Sequence, residues 1–131
     1  MAYPNCTINE GGYGDFLASE AISLYQRVKF VTGSSVDGKP SLAVCAIGER
    51  GDAIAMQPIA SGAYGTVRFL NAQGEQFGLA SGTIALGATV YTAGTGKFSA
   101  ASGGGALAVG VATTAGYDGG PFTWIPRIPA A

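Results

Sequence analysis

Histidine is absent from this chain of 131 residues. Its absence removes the commonest general base, the usual serine and cysteine triads and most zinc sites. Charge is also scarce. Charged side chains make up 11% of the chain, against roughly 25% in an average soluble domain. The seven cations, Arg27, Lys29, Lys39, Arg50, Arg68, Lys97 and Arg127, are scattered and the net charge is −1. Nucleic-acid binding needs a concentrated positive field that displaces counterions, so no nucleic-acid partner is expected. The pair Arg27 and Lys29 is expected to face solvent on a strand. Cysteine is limited to Cys6 and Cys45, too few for a disulfide framework. Both read as free thiols of a reducing cytosol, with Cys45 in the core, and a Cys6–Cys45 bridge is the alternative. No run reaches the roughly 18 apolar residues of a membrane helix. The N-terminal stretch lacks the basic start and apolar core of a secretory signal.

Glycine and alanine are what the chain has instead: together they are 44 of the 131 residues. Few charges and many small residues defend a lone monomer poorly against association. A covering partner is one explanation, and a surface of Ser, Thr, Asn and Gln is the other.

Short apolar runs separated by turn residues dominate. Strands are expected at 25–31, 41–47, 53–59, 65–70, 75–80, 88–93, 97–100, 106–113 and 121–127. Turn signals such as Asp37-Gly38, Gly51-Asp52 and Asp118-Gly119-Gly120 divide them. This spacing predicts an all-β fold, a barrel or a sandwich. The one helix candidate is 15–24, with Asp15 as cap; an extended arm is the alternative. Residues 1–18 interleave Gly11, Gly12 and Gly14 with Tyr3, Tyr13 and Phe16. They read as an arm that docks on a neighbour, or as aromatics folded back on the chain's own core. The remainder, 19–131, reads as one β domain.

An internal repeat is expected between 23–59 and 85–126. Leu24 matches Leu86, Val28 matches Val90, and the turn Gly38-Lys39 matches Gly96-Lys97. Further along, Leu42 matches Leu107, Gly51 matches Gly116 and Pro58 matches Pro126. Each unit is too small to bury an apolar face alone. Residues 60–84 are expected to join the units through a further hairpin.

Motifs with chemistry fail in detail. Gly94-Thr95-Gly96-Lys97 resembles part of a phosphate loop, but Tyr91 stands where the first glycine belongs and Phe98 replaces the Ser or Thr. A tight hairpin fits better. Asn5-Cys6-Thr7 and Arg50-Gly51-Asp52 read as chance matches to a glycosylation acceptor and a receptor tripeptide. The eight acids form no close pair in sequence, although distant ones could converge as in glycosidases. Trp124, the sole tryptophan, reads as the plug of a small β core, with a stacking role in a binding site as the alternative. No catalysis, metal or cofactor is expected.

Taken in order, Ile84, Gly87, Val90, Tyr91, Gly96, Lys97, Gly110, Ala112 and Phe122–Ile125 form a pattern. The first unit supplies Glu20-Ala21, Tyr25–Lys29 and Ala46–Glu49. Across residues 19–127 the chain resembles bacteriophage capsid decoration proteins, also called cement or head-stabilising proteins. The resemblance implies a small β-barrel or β-tulip-like domain on the outer surface of an assembled head, made in the host cytoplasm. It implies contact with the major capsid protein, often as homotrimers, and neither catalysis nor a membrane partner. The arm residues Tyr3, Pro4, Tyr13 and Phe16 are then the expected contacts. The alternatives are another viral β module, from a tail or fibre, and a small-ligand or glycan-binding barrel.

Overall fold

A computed structural model of the chain describes residues 12–36 and 38–127. Among them the fold is all-β, with ten strands in two antiparallel five-stranded sheets and no helix. The strands are β1 (Tyr13–Leu17), β2 (Arg27–Val36), β3 (Lys39–Val44), β4 (Ala53–Ala55), β5 (Tyr64–Phe69), β6 (Gln76–Leu79), β7 (Thr89–Thr92), β8 (Phe98–Ser99), β9 (Ala108–Ala112) and β10 (Pro121–Pro126). All nine expected strands are present in shorter or shifted form. The helix is not. Gly14 and Phe16 are buried while Tyr13 and Asp15 are exposed, so the segment alternates as a strand does. Asp15 caps nothing; its Oδ1 accepts a hydrogen bond from Thr66 Oγ1 at 2.7 Å, across the β1–β5 pair.

The first sheet runs β1-β5-β4-β2-β3 and the second β6-β10-β9-β7-β8. Adding five to each label of the first order gives the second. The halves are therefore tandem copies of one topology. Each sheet rolls until its edges meet at a single parallel bridge, Ala18 to Leu42 and Ala80 to Phe98. The ladders themselves do not close, so neither half is a closed barrel.

This topology corrects the repeat. Residues 17–28 align with 79–90 without a gap, sharing Leu-Ala-Ser, an Ile, a Leu and a Val. Leu24 with Leu86 and Val28 with Val90 are true equivalents. Leu42 with Leu107 is not, because Leu42 lies on β3 and its counterpart by the parallel bridge is Phe98. The same slip of one strand affects Gly51 with Gly116 and Pro58 with Pro126. Residues 60–84 are not a linking hairpin: β5 completes the first sheet and β6 opens the second.

Two cores result. The first gathers Phe16, Ile22, Val28, Leu42, Ile59 and Val67, and the second Ile84, Val90, Phe98, Val109, Phe122 and Trp124. Each holds an aromatic triad. Phe16 lies 4.9 Å from Phe30 and 6.0 Å from Phe69, while Phe98 lies 4.9 Å from Trp124 and 6.0 Å from Phe122, centroid to centroid. Burying one such side chain stabilises by roughly 1.5–3 kcal/mol.

Between the copies, large and small residues trade places. On the first pair of strands Phe16 faces Gly65; at the equivalent pair Gly78 faces Phe122. Ile59 packs over Gly65, where an added Cβ would lie 2.3 Å from Ile59 Cγ1. Its counterpart Gly116 lies under Phe122, with a Cβ there 3.2 Å from Phe122 Cβ. Close-packed interiors accept such compensated exchanges far better than single ones.

Gly65→Ala is therefore expected to destabilise by about 1–3 kcal/mol through overpacking. Combined with Ile59→Ala it should cost less than the sum of the single changes by about 1 kcal/mol or more. A urea double-mutant cycle checks this; additive costs would refute the exchange.

Candidate functional site

The seam between the halves is built on Arg27. It opens β2 and is completely buried, which corrects the expectation that it faces solvent. Its side chain collects carbonyls from both copies. Nη2 donates to Ala46 O at 2.9 Å and Ala93 O at 3.0 Å, Nε donates to Glu49 O at 3.1 Å, and Nη1 donates to Lys97 O. The guanidinium also lies 5.1 Å from the centroid of the Phe98 ring. Burial lowers the Arg27 pKa from its ordinary value, opposed by the neighbouring Cys45 and Glu49. Arginine nonetheless remains protonated, so four oxygen dipoles replace its water shell. Cys45 is buried beside it as a free thiol, its pKa raised by burial; Cys6 lies outside the described residues.

The β7–β8 turn supplies the second half's side of the seam. Arg27 N donates to Gly96 O at 2.8 Å and Gly96 N donates to Cys45 O at 2.9 Å. Gly96 has φ +67°, and a Cβ there would stand 2.8 Å from Arg27 O. Thus Gly94–Lys97 is a hairpin turn pressed against another strand, and the phosphate-loop likeness has no structural counterpart. Gln26 Nε2 donates to Thr95 O at 2.8 Å, and buried Thr92 donates to Ile47 O. Tyr25 holds φ +67° at the position that Gly87 fills with φ +81° in the second half. Its ring stacks on Phe77, 4.5 Å between centroids and 10° between planes. A non-glycine residue rarely adopts this φ, and here the stack across the seam holds it.

Next to the seam is a cleft of about 360 Å³ lined by Arg50, Leu70, Asn71, Val109, Trp124, Pro126 and Arg127. Trp124 is 1% exposed and donates Nε1–H to Phe77 O at 3.1 Å, so it is the core plug and one edge of the cleft at once. A second cleft adjoins it, sharing Leu70 and Asn71 and adding Phe30, Gly51, Asp52 and Phe69. The Arg50-Gly51-Asp52 tripeptide spans the two, and its parts serve the fold. Asp52 Oδ2 accepts Phe30 N–H at 2.9 Å, and a Cβ on Gly51 would meet Arg27 Cγ at 2.6 Å.

Other acids are also engaged with local backbone. Glu20 accepts Val44 N–H, Glu49 accepts Ala46 N–H and Asp118 accepts Gly82 N–H. Among the described residues no group of three His, Cys, Asp or Glu side chains is placed to hold a metal. No helix there is long and apolar enough to cross a membrane.

The expected contact residues divide. Tyr3 and Pro4 lie outside the described residues. Tyr13 is exposed on the edge strand β1, with the Arg68 guanidinium 5.8 Å from its ring centroid. Phe16 is buried in the first core. Residues 13–17 thus belong to a sheet, and an arm spanning 1–18 is corrected at its C-terminal end. Among the described residues Leu86 and Tyr117, both 70% exposed, are the most exposed large apolar side chains. The sequence pattern places Arg27 on the face opposite core Val28, and nothing in it marks that face as covered by the second half.

No protein-family model matches the chain, and no curated protein matches it. Among solved structures, the head fiber gp8.5 N base in bacteriophage phi29 is similar, with a TM-score of 0.72 at 16% identity. The alignment covers 88% of this chain and 92% of that one. The two share a fold.

Two outcomes are expected at the seam. Arg27→Met removes the side-chain donor from the Glu49 and Ala93 carbonyls, while Ala46 O and Lys97 O keep Glu49 N–H and Ala93 N–H, and it should cost about 1–3 kcal/mol in urea unfolding. A loss below about 1 kcal/mol would show the carbonyls finding water instead. Beside it, Lys29 Nζ meets Glu49 Oε2 at 2.6 Å, and this bond holds the Glu49 pKa below its ordinary value. A depressed carboxylate stabilises above its unfolded pKa of about 4.3 and loses that contribution as pH falls through the folded value. Glu49→Gln should flatten that part of the acid limb of thermal stability.

Proposed function

We propose that the chain is a structural protein of a phage virion that binds the outer surface of the assembled head and stabilises it by bridging major capsid protein subunits. The observation that carries this reading is the shared fold, over nearly the full length of both chains, with a protein whose name places it at the base of a head fibre. The scarcity of charge and the outward apolar side chains Leu86 and Tyr117 suit a surface that is covered in use. The resemblance of residues 19–127 to decoration proteins points the same way. The proposed role is mechanical and includes no catalysis or cofactor. Each copy spans a junction between shell subunits, and many linked weak contacts give avidity without a tight single one. Binding only the assembled shell stabilises that state by mass action. Tyr13 on its edge strand, with Tyr3 and Pro4 ahead of it, forms part of the contact, and Phe16 fixes β1 from within. The protein acts as a homotrimer.

A second reading draws on the same neighbour: the chain is the base of a head fibre and carries a further module outward. Copy number separates the two.

Purified protein mixed with undecorated, expanded heads of the major capsid protein from the same genome should co-sediment in a density gradient. It should saturate at a fixed ratio to that protein, and Tyr13→Ala should weaken binding. A small number of trimers per head favours the fibre base. Absence of binding, with a monomer in light scattering, would overturn both readings.

A further inference from the structure

The cleft beside the seam combines an apolar floor with unpaired cations. Leu70, Val109, Trp124 and Pro126 form the floor, and Arg50 and Arg127 flank it, both exposed. Among the described residues the Lys29–Glu49 pair engages neither arginine, and no carboxylate is recorded against them. Arg50 has one long bond, from Nη1 to Ala108 O at 3.3 Å. The acids nearest Arg50 in sequence are engaged elsewhere: Glu49 with Lys29 Nζ and Ala46 N–H, and Asp52 with Phe30 N–H in the adjoining cleft. Of the other five cations, four are engaged: Arg27 by carbonyls, Lys29 by Glu49, Lys39 by Asp15 O and Arg68 by Gln73 O, while Lys97 lies in the β7–β8 turn and does not line the cleft.

We infer that this cleft is a docking site for an acidic peptide segment of a partner protein, one that inserts a large apolar side chain between flanking carboxylates. The volume of about 360 Å³ accommodates a leucine- or phenylalanine-sized side chain with adjacent backbone. Planar guanidinium groups recognise carboxylates with paired, charge-assisted hydrogen bonds. Two cations over an apolar floor are too few for a nucleic-acid backbone, which takes a longer basic track. Apolar anchors in pockets carry most of the energy of such contacts, and rim charges set orientation and partner choice. The inference concerns what the cleft accepts and holds whether or not the partner is a capsid subunit.

Trp124 makes the test direct, because it is the sole tryptophan and lines the cleft. Acetyl-Asp-Glu-Leu-Glu-Asp-amide is titrated into the isotopically labelled full chain at low salt. Amide and indole resonances are followed together with tryptophan emission. Saturable shifts are expected at Arg50, Leu70, Asn71, Val109, Arg127 and the Trp124 indole. The same peptide with glycine in place of leucine should bind at least about tenfold more weakly, from the loss of one buried aliphatic side chain. The peptide with lysines in place of its acids should not bind. Arg50→Ala with Arg127→Ala should weaken binding about tenfold while the remaining resonances stay in place. Should that double variant lose its fold, Arg127→Gln alone is read in the same way. Absence of saturable shifts, equal binding of the lysine peptide, or shifts centred away from these residues would overturn the inference.

Discussion

A single buried cation decides how the two halves meet. Hydrophobic burial pulls the copies together but is not directional. Arg27 is directional, because its planar donors must find carbonyls at fixed angles, and they find two in each half. Any other docking angle leaves either the guanidinium or its acceptors without partners, at a cost of several kcal/mol. Other contacts at the seam then fall into line: the Gly96 turn against β2, the hydroxyl of Thr92 on Ile47 and the Tyr25–Phe77 stack. Ile54, which belongs to the first sheet, completes the second core. The position equivalent to Arg27 in the second copy is Thr89, exposed to solvent. The duplication is symmetric in topology and asymmetric at the residue that joins it.

Each core was solved separately on the same scaffold. Where the first copy places Phe16 and Ile59 around Gly65, the second places Phe98 and Phe122 around Gly78 and Gly116. The filled space is similar while its owners differ. Backbone pairing is indifferent to that exchange, because every strand presents the same donors and acceptors whatever its side chains are.

This exchange also explains what could be read from the sequence. Nine strands announced themselves through short apolar runs bounded by turn residues, and Leu24 and Val28 announced their copies at Leu86 and Val90. Past that point the match was lost, since Leu-Ala-Val on β3 and on the approach to β9 looked alike while Leu42 and Phe98, the true counterparts, did not. β1 was obscured by its glycines and by Asp15, which read as the cap of a helix over 15–24. The seam was invisible because its acceptors are backbone carbonyls, which every residue carries, and because an arginine beside a lysine on a strand ordinarily faces water. The cleft was equally hidden: Val109 and Arg127 meet within the second copy, and Arg50 joins them only once the two copies are docked.

The reach of Arg27 along the chain has a consequence for synthesis. The first sheet is complete in sequence at Phe69, but the acceptors Ala93 and Lys97 and the Gly96 turn leave the ribosome later, by a few seconds at roughly 5–20 residues per second. Until then the guanidinium has only the carbonyls of Ala46 and Glu49 and must keep the rest of its water. The nascent first half can pair its strands, yet the surface bearing Ile54 and Arg27 stays wet and open. Closure waits for the hairpin, and it excludes water from both copies in one event. A ribosome stalled between Phe69 and Ala93 would therefore expose a half-domain with an apolar side chain and an unshielded charge on the same face, a form that a chaperone or protease can distinguish from the finished protein.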